Sequence, residues 1–156
     1  MIVDRRAAER LRQLLNIVER KLARLQSTDR RLFQEPFTPE RANRLSEDED
    51  LAERVEAFVS RFGRLQDTLG DKVIPSYLAA QGEKAGAFGD NLDRAERLGV
   101  IPDAQSWIDM RRLRNQMVHE YIEDPVVLAS ALQAGHEFVR QLEQAVVLIL
   151  RLVPAR

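Results

Sequence analysis

The chain has 156 residues, of which 44% are hydrophobic and 31% charged, and this balance favours a soluble globular protein over a disordered or membrane protein. The formal net charge is −1 and there is no cysteine, which excludes a broad basic field over the whole molecule, a disulfide framework and thiolate metal sites. The longest apolar run, AVVLIL at 145–150, is too short to span a bilayer, and we expect one cytoplasmic domain over residues 1–156.

Charge is distributed unevenly along the chain. Residues 1–31 contain nine Lys or Arg and four Asp or Glu, a balance of +5, whereas residues 35–56 contain eight acids and three arginines, a balance of −5. This segregation is compatible with a basic groove, although it is more often the sign of two differently charged solvent faces.

Two helices are predicted in the first half of the chain. Leucine, valine and alanine recur at steps of three and four between Asp4 and Gln26, which indicates an amphipathic helix. The two prolines of FQEPFTPE then break the pattern. Ser46 and Glu49 have the spacing of a capping box for a second, longer helix, which we expect to bend between Gly70 and Pro75, with Asp71 as a possible cap of the continuation.

Helix boundaries are clearer in the second half of the chain. A short helix is expected at about 91–98, ended by Gly99, and another begins after Asp103, a plausible cap. Asp124 and Pro125 fit the cap and first position of a last helix that runs to about Leu150. No segment has sustained strand alternation, so the sequence predicts an all-α, up-and-down bundle of four or five helices.

The segment LRNQMVHEYIEDP, residues 113–125, contains an arginine in an unusual position. On an ideal helix Trp107, Met110 and Met117 fall within about 60° of Arg114, so this guanidinium lies on the most apolar arc of its helix. A desolvated charge needs compensation, and three sources are open: an internal carboxylate such as Asp67, a subunit interface or a bound anion.

A polar edge borders that arc. Asn115 and His119 are one helical turn apart, and Arg112 extends the edge. An arginine, an amide and an imidazole together suit a phosphodiester, because Arg offers a forked cation and His exchanges protons near neutral pH. The alternatives are a histidine stabilised by the helix terminus and a Tyr121 that packs its ring in the core.

The pattern of Arg114, Asn115, His119 and Tyr121 resembles the signature of HEPN domains, and the tyrosine is similar to that of the HepT branch, the toxin partners of MNT-type minimal nucleotidyltransferase antitoxins. RFGRLQDTLG at 61–70 and WIDMRRLRNQMVHEY at 107–121 also look like segments of HepT-like proteins. The resemblance extends over about residues 10–150.

The resemblance implies a metal-independent endoribonuclease without cofactors, active as a homodimer whose two motif helices line a cleft. His119 would be the acid or base for 2′-hydroxyl attack on RNA, Arg114 would stabilise the transition state and Asn115 would support the site. Tyr121 would accept adenylate from the antitoxin. Two other functions stay open, a non-catalytic helical subunit that serves a nucleotidyltransferase and a purely structural dimeric bundle with Arg114 paired inside one subunit and Tyr121 buried.

Overall fold

The structure, a computed structural model, describes residues 3–119 and 124–153, without the side chains of Val118 and His119. Over these ranges the chain is helical and has no strand, so the all-α prediction is confirmed. A 3-10 turn (Arg44–Ser46) precedes α3 and a π turn (Leu69–Val73) follows it. The α-helices, in chain order, are α1 (Arg5–Leu32), α2 (Pro39–Asn43), α3 (Glu49–Thr68), α4 (Ile74–Ala80), α5 (Phe88–Arg97), α6 (Ala104–His119) and α7 (Pro125–Leu152).

The first helix starts where the apolar pattern begins and ends later than predicted. Oδ1 of Asp4 accepts hydrogen bonds from the backbone N–H groups of Arg6 and Ala7. The helix continues past Gln26 to Leu32, because Thr28 and Leu32 extend its buried stripe and the Thr28 hydroxyl donates back to the backbone oxygen of Arg24. The predicted break follows, with turn and extended backbone up to Thr38, and Pro39 then occupies the first turn of α2, where no N–H donor is needed.

The predicted Ser46 cap of the second long helix is wrong. Ser46 belongs to the 3-10 turn, and Asp48, which has an extended backbone, instead accepts from the N–H of Leu51 over 3.0 Å. The additional turn occupies the residues that a capping box starting at Ser46 would have required in extended geometry. The acids that follow still lie at the N-terminus of α3, where the helix dipole favours them.

The bend between α3 and α4 is a π turn rather than a break. Backbone angles stay helical through it, and Asp71 caps nothing, because its carboxylate pairs with Arg111. An ideal Cβ on Gly70 would lie 3.0 Å from Cε1 of Phe88, so any larger residue would require this ring to shift by a few tenths of an ångström. The packing of α5 therefore coincides with the π turn. The extra residue in this turn cannot be recognised from the periodicity of the sequence.

The predicted caps of α6 and α7 are confirmed. Asp103 accepts from the backbone N–H groups of Gln105 and Ser106, and the Ser106 hydroxyl, which also donates to it, lowers the pKa of its carboxyl. Asp124 accepts from the N–H of Val126, and Pro125 begins α7. The short helix α5 starts three residues before the predicted Asn91.

The core places α6 between α3 and α7. Trp107 and Met110 are fully buried, as the apolar arc of α6 predicts. At Gly135 of α7 an ideal Cβ would lie 2.9 Å from Cε of Met117 and 3.1 Å from Cε2 of Phe58, so the missing side chain lets three helices meet. No helix of the described ranges is long and apolar enough to cross a membrane.

Candidate functional site

Arg114 has an internal partner. Its Nη2 atom donates to Oδ2 of Asp67 on α3 over 2.6 Å, and the Arg114 side chain is 21% exposed. Of the three sources of compensation left open by the sequence, the structure thus contains the internal carboxylate. A pair of this kind fixes the rotamer of the guanidinium and reduces its net charge.

Asn115 shares the same guanidinium. Its amide oxygen accepts from Nη1 of Arg114 over 3.0 Å, and the residue is exposed. The arginine is therefore held by a carboxylate on one amino group and an amide on the other, which orients its plane at the surface of α6. The structure brings together two of the four predicted site residues.

The other two predicted site residues lie at the limit of the described ranges. His119 is the last residue of α6, one helical turn beyond Asn115. Tyr121 lies outside the described residues. The helix thus carries the motif at its C-terminal end, where a histidine is also favoured by the helix dipole.

A second arginine of α6 pairs with an acid on the same side of the fold as Asp67, and this pair was not predicted from the sequence. Arg111, one turn before Arg114, forms an ion pair with Asp71, and its Cζ lies 3.8 Å from the centroid of the Phe88 ring. The signal was present in the spacing, because arginines three residues apart faced acids four residues apart on another helix. The contact with Phe88, in contrast, depends on tertiary packing.

The two ion pairs form a charged ladder between α6 and the end of α3. Both are partly exposed, with side-chain accessibilities between 21% and 46%, so solvent screens them more than a buried pair. Arg112 takes no part in this ladder: it is exposed and its closest carboxylate is Asp109, at 3.9 Å. Its predicted position on the polar edge therefore places it in solvent rather than beside Arg114.

A separate polar cluster links α1 with α7. Nδ1 of His136 lies 2.7 Å from Oδ1 of Asp29, and the imidazole stacks on Phe33 with ring centroids 4.2 Å apart. Burial raises the pKa of the Asp29 carboxyl, and this effect exceeds the lowering by the His136 hydrogen bond. These contacts give His136 a structural role between α1 and α7.

The described ranges contain no group of three or more His, Cys, Asp or Glu side chains arranged to hold a metal ion. Comparison of the chain with family models, curated proteins and solved structures gave no match.

Proposed function

We propose that this protein is a HEPN-type endoribonuclease similar to HepT toxins, which acts on RNA in the cytoplasm as a homodimer and is neutralised by a nucleotidyltransferase. The observation that carries the proposal is the guanidinium of Arg114, which Asn115 and Asp67 hold five residues before His119 on the same helix. An oriented arginine on the helix that carries the histidine suits the cleavage of a phosphodiester.

The reaction requires one proton to leave and one to arrive. The ribose 2′-hydroxyl attacks the adjacent phosphorus and gives its proton to His119, and the bond from phosphorus to the 5′-oxygen breaks. A protonated His119 of the second subunit supplies the proton to that 5′-oxygen. The products are a 2′,3′-cyclic phosphate and a 5′-hydroxyl, and Arg114 stabilises the negative charge that develops on the nonbridging oxygens.

The ion pair with Asp67 determines how much of the positive charge of Arg114 can act on a phosphate. The carboxylate of Asp67 accepts from Nη2 and the amide of Asn115 accepts from Nη1, so the guanidinium is oriented before RNA binds. Two subunits that face each other would present two such oriented guanidinium groups to one phosphodiester. This explains why an arginine that is already paired still contributes to a shared cleft.

Regulation by the partner enzyme takes place at Tyr121 in this proposal. The phenol oxygen attacks the α-phosphorus of ATP, pyrophosphate leaves, and the tyrosine carries an adenylate. Because Tyr121 follows His119 by two residues, the added phosphate introduces negative charge next to the cleft and repels the RNA backbone.

The two histidines of the chain provide a matched experiment. Purified wild-type protein, His119→Ala and His136→Ala are incubated with cellular RNA, and the new ends are tested for a 5′-hydroxyl. We expect wild type and His136→Ala to cleave, and His119→Ala to lose at least about a hundredfold in rate. Equal cleavage by both variants, or none by the wild type, would refute the catalytic role.

The dimer is tested separately by light scattering during gel filtration. A monomer at working concentration would contradict the shared cleft.

For the partner, a nucleotidyltransferase encoded beside this gene is incubated with the protein and ATP, and the mass of the peptide that contains Tyr121 is measured. Transfer of adenylate with loss of cleavage supports the toxin, and Tyr121→Phe should abolish both effects.

One observation favours a second candidate, a non-catalytic subunit that presents substrate to a nucleotidyltransferase. The ion pair with Asp67 satisfies the demand of Arg114 within a single chain, which a structural role also explains. In that case Asp67→Ala would lower stability and no RNA cleavage would depend on His119. The two histidine variants therefore decide between the candidates.

A further inference from the structure

Four cations line the seam where α1 packs against α3. They are Lys21 and Arg24 from α1 and Arg61 and Arg64 from α3, and we refer to them as the basic seam. Arg24 and Arg64 are exposed, and the other two are partly buried. None of the four takes part in the motif of α6.

Two bridges between the helices hold the basic seam in place. Nζ of Lys21 donates to the Thr68 hydroxyl over 2.9 Å, and that hydroxyl donates to the backbone oxygen of Arg64 over 2.8 Å. The second bridge, between Arg61 and Thr28, lies seven residues away along each of the two antiparallel helices, which is about 10 Å along the seam.

The second bridge runs from the side chain of Arg61 to α1. Nη1 of Arg61 donates both to the Thr28 hydroxyl and to the backbone oxygen of Arg24. Neutral oxygens thus fix the partly buried cations while their charges stay uncompensated. A fixed cation loses less side-chain entropy when it binds an anion than a freely moving one does.

No carboxylate of the described residues lies within 4.0 Å of the four cations. The acids that border the seam are engaged elsewhere: Asp67 with Arg114, Asp71 with Arg111, and Asp29 with His136. The charged ladder on α6 therefore neutralises the acids on one flank of α3 and leaves the cations on the other flank in excess. The net charge of −1 for the whole chain conceals this local surplus.

The basic seam is continuous with the candidate site on the surface of α3. On an ideal helix Arg64 lies about 40° from Thr68, and Asp67 lies about 100° from Thr68 in the same direction. Arg64 is therefore the member of the basic seam that lies between Thr68 and Asp67, the partner of Arg114. A strand of phosphates bound along the seam would reach the site by crossing Arg64.

We propose that the basic seam binds the phosphate backbone of single-stranded RNA and directs it toward Arg114. This inference rests on the proposed function for the identity of the polyanion, and it adds a contact surface outside the motif. Binding of this kind is sequence-independent, because cations contact phosphates and not base edges. It predicts a strong dependence of affinity on salt.

The test measures binding by fluorescence anisotropy, with a labelled single-stranded RNA of about a dozen nucleotides over about 50–200 mM salt. All proteins carry His119→Ala, so that the RNA stays intact. In this background Arg24→Gln with Arg64→Gln should raise Kd at least about tenfold. The slope of log K against log salt should fall by about 1.4, because each phosphate that the protein neutralises contributes about 0.7 to it.

Arg97→Gln with Arg140→Gln is the matched control, since it removes two exposed cations from α5 and α7. It should change Kd less than about twofold. Unchanged binding by the seam variant overturns the inference, and so does an equal loss of affinity in both double variants, because net charge would then govern binding.

Cleavage assays in the wild-type background separate this inference from the proposed function. The seam variant should show a higher KM and an unchanged kcat. If cleavage stays dependent on His119 while the seam variant binds RNA normally, the ribonuclease stands and the seam fails. If the wild type cleaves nothing but RNA binding depends on Arg24 and Arg64, the seam stands and the catalytic proposal fails.

Discussion

Nη2 of Arg114 on α6 lies 2.6 Å from Oδ2 of Asp67 on α3, so a residue 47 positions earlier in the chain fixes the arginine of the motif. The same guanidinium donates to Asn115 through its other amino group. Asp67 is therefore a positioning residue for the proposed site, and its effect on the reaction should pass through Arg114.

Asp67→Asn should lower kcat for RNA cleavage about tenfold and leave KM equal or lower, because the arginine loses its fixed orientation while keeping its full charge. Steady-state kinetics on one labelled RNA measures both parameters. Asp71→Asn is the control, since it removes the partner of Arg111 and leaves the Arg114 pair intact. Equal effects of the two variants would show that the ladder merely stabilises the fold.

Gly135 of α7 should not tolerate a branched side chain. An added Cβ would meet Met117 at 2.9 Å and the fully buried ring of Phe58 at 3.1 Å, and the further methyl groups of valine would crowd the same place. We expect Gly135→Val to lower the free energy of unfolding by about 1–3 kcal/mol. Urea unfolding followed by circular dichroism measures the change.

Gly89 provides the control for that substitution. An ideal Cβ there meets nothing within 4 Å, so Gly89→Ala should keep or slightly raise stability. A Gly135→Val protein as stable as the wild type would mean that α6 and α7 separate easily at this point.

Gln66 is fully buried on α3, and neither its amide nitrogen nor its amide oxygen has a hydrogen-bond partner among the described residues. Gln66→Met keeps the shape and removes two desolvated polar atoms, so we expect a gain of about 1–2 kcal/mol in the free energy of unfolding. Gln26→Met is the comparison, because Gln26 donates to Glu143 over 3.2 Å and should gain nothing. A destabilised Gln66→Met would indicate that the amide is satisfied by water.

The Asp29 carboxyl should make stability depend on pH. Its side chain is only 13% exposed, and burial raises its pKa above the ordinary value of 3.8. The folded state therefore binds this proton more tightly than the unfolded state does, so the contribution is fully present below pH 3.8 and is lost as pH rises through the raised pKa. Asp29→Asn should gain stability relative to wild type across that window.

Urea unfolding of both proteins at a series of pH values from about 3.5 to about 6 measures this difference. In a His136→Gln background the dependence should steepen, because the hydrogen bond that lowers the pKa of Asp29 is lost while the burial remains. A difference between wild type and Asp29→Asn that does not change with pH would contradict the raised pKa.

Local signals in the sequence were sufficient for part of the fold. Asp103 and Asp124 could be identified as caps because an N-cap depends only on the residues immediately after it. Ser46 was misassigned for the same reason, since Asp48 competes for the same role two residues later and the 3-10 turn decided between them. The π turn could not be predicted, because it accompanies the packing of Phe88 against Gly70 from a distant segment.

The site was predictable in its residue types and less so in its contacts. The helical wheel placed Arg114 on an apolar arc and required a partner, but periodicity carries no information about which face of α3 would meet α6. Asp67 was one of several carboxylates that could have filled this role. The contact of the Phe88 ring with Arg111 had no local signal in the sequence. Phe88 lies on α5 and Arg111 on α6, and the path of the chain between these helices could not be predicted.

Two kinds of attachment hold α6 to the fold. Trp107, Met110 and Met117 pack against apolar side chains, whereas Arg111 and Arg114 depend on partly exposed ion pairs. Dissolved salt screens the ion pairs and leaves the apolar packing almost unaffected. Ionic strength should therefore act on this protein twice, once on the proposed attraction between protein and RNA and once on how firmly these ion pairs hold α6.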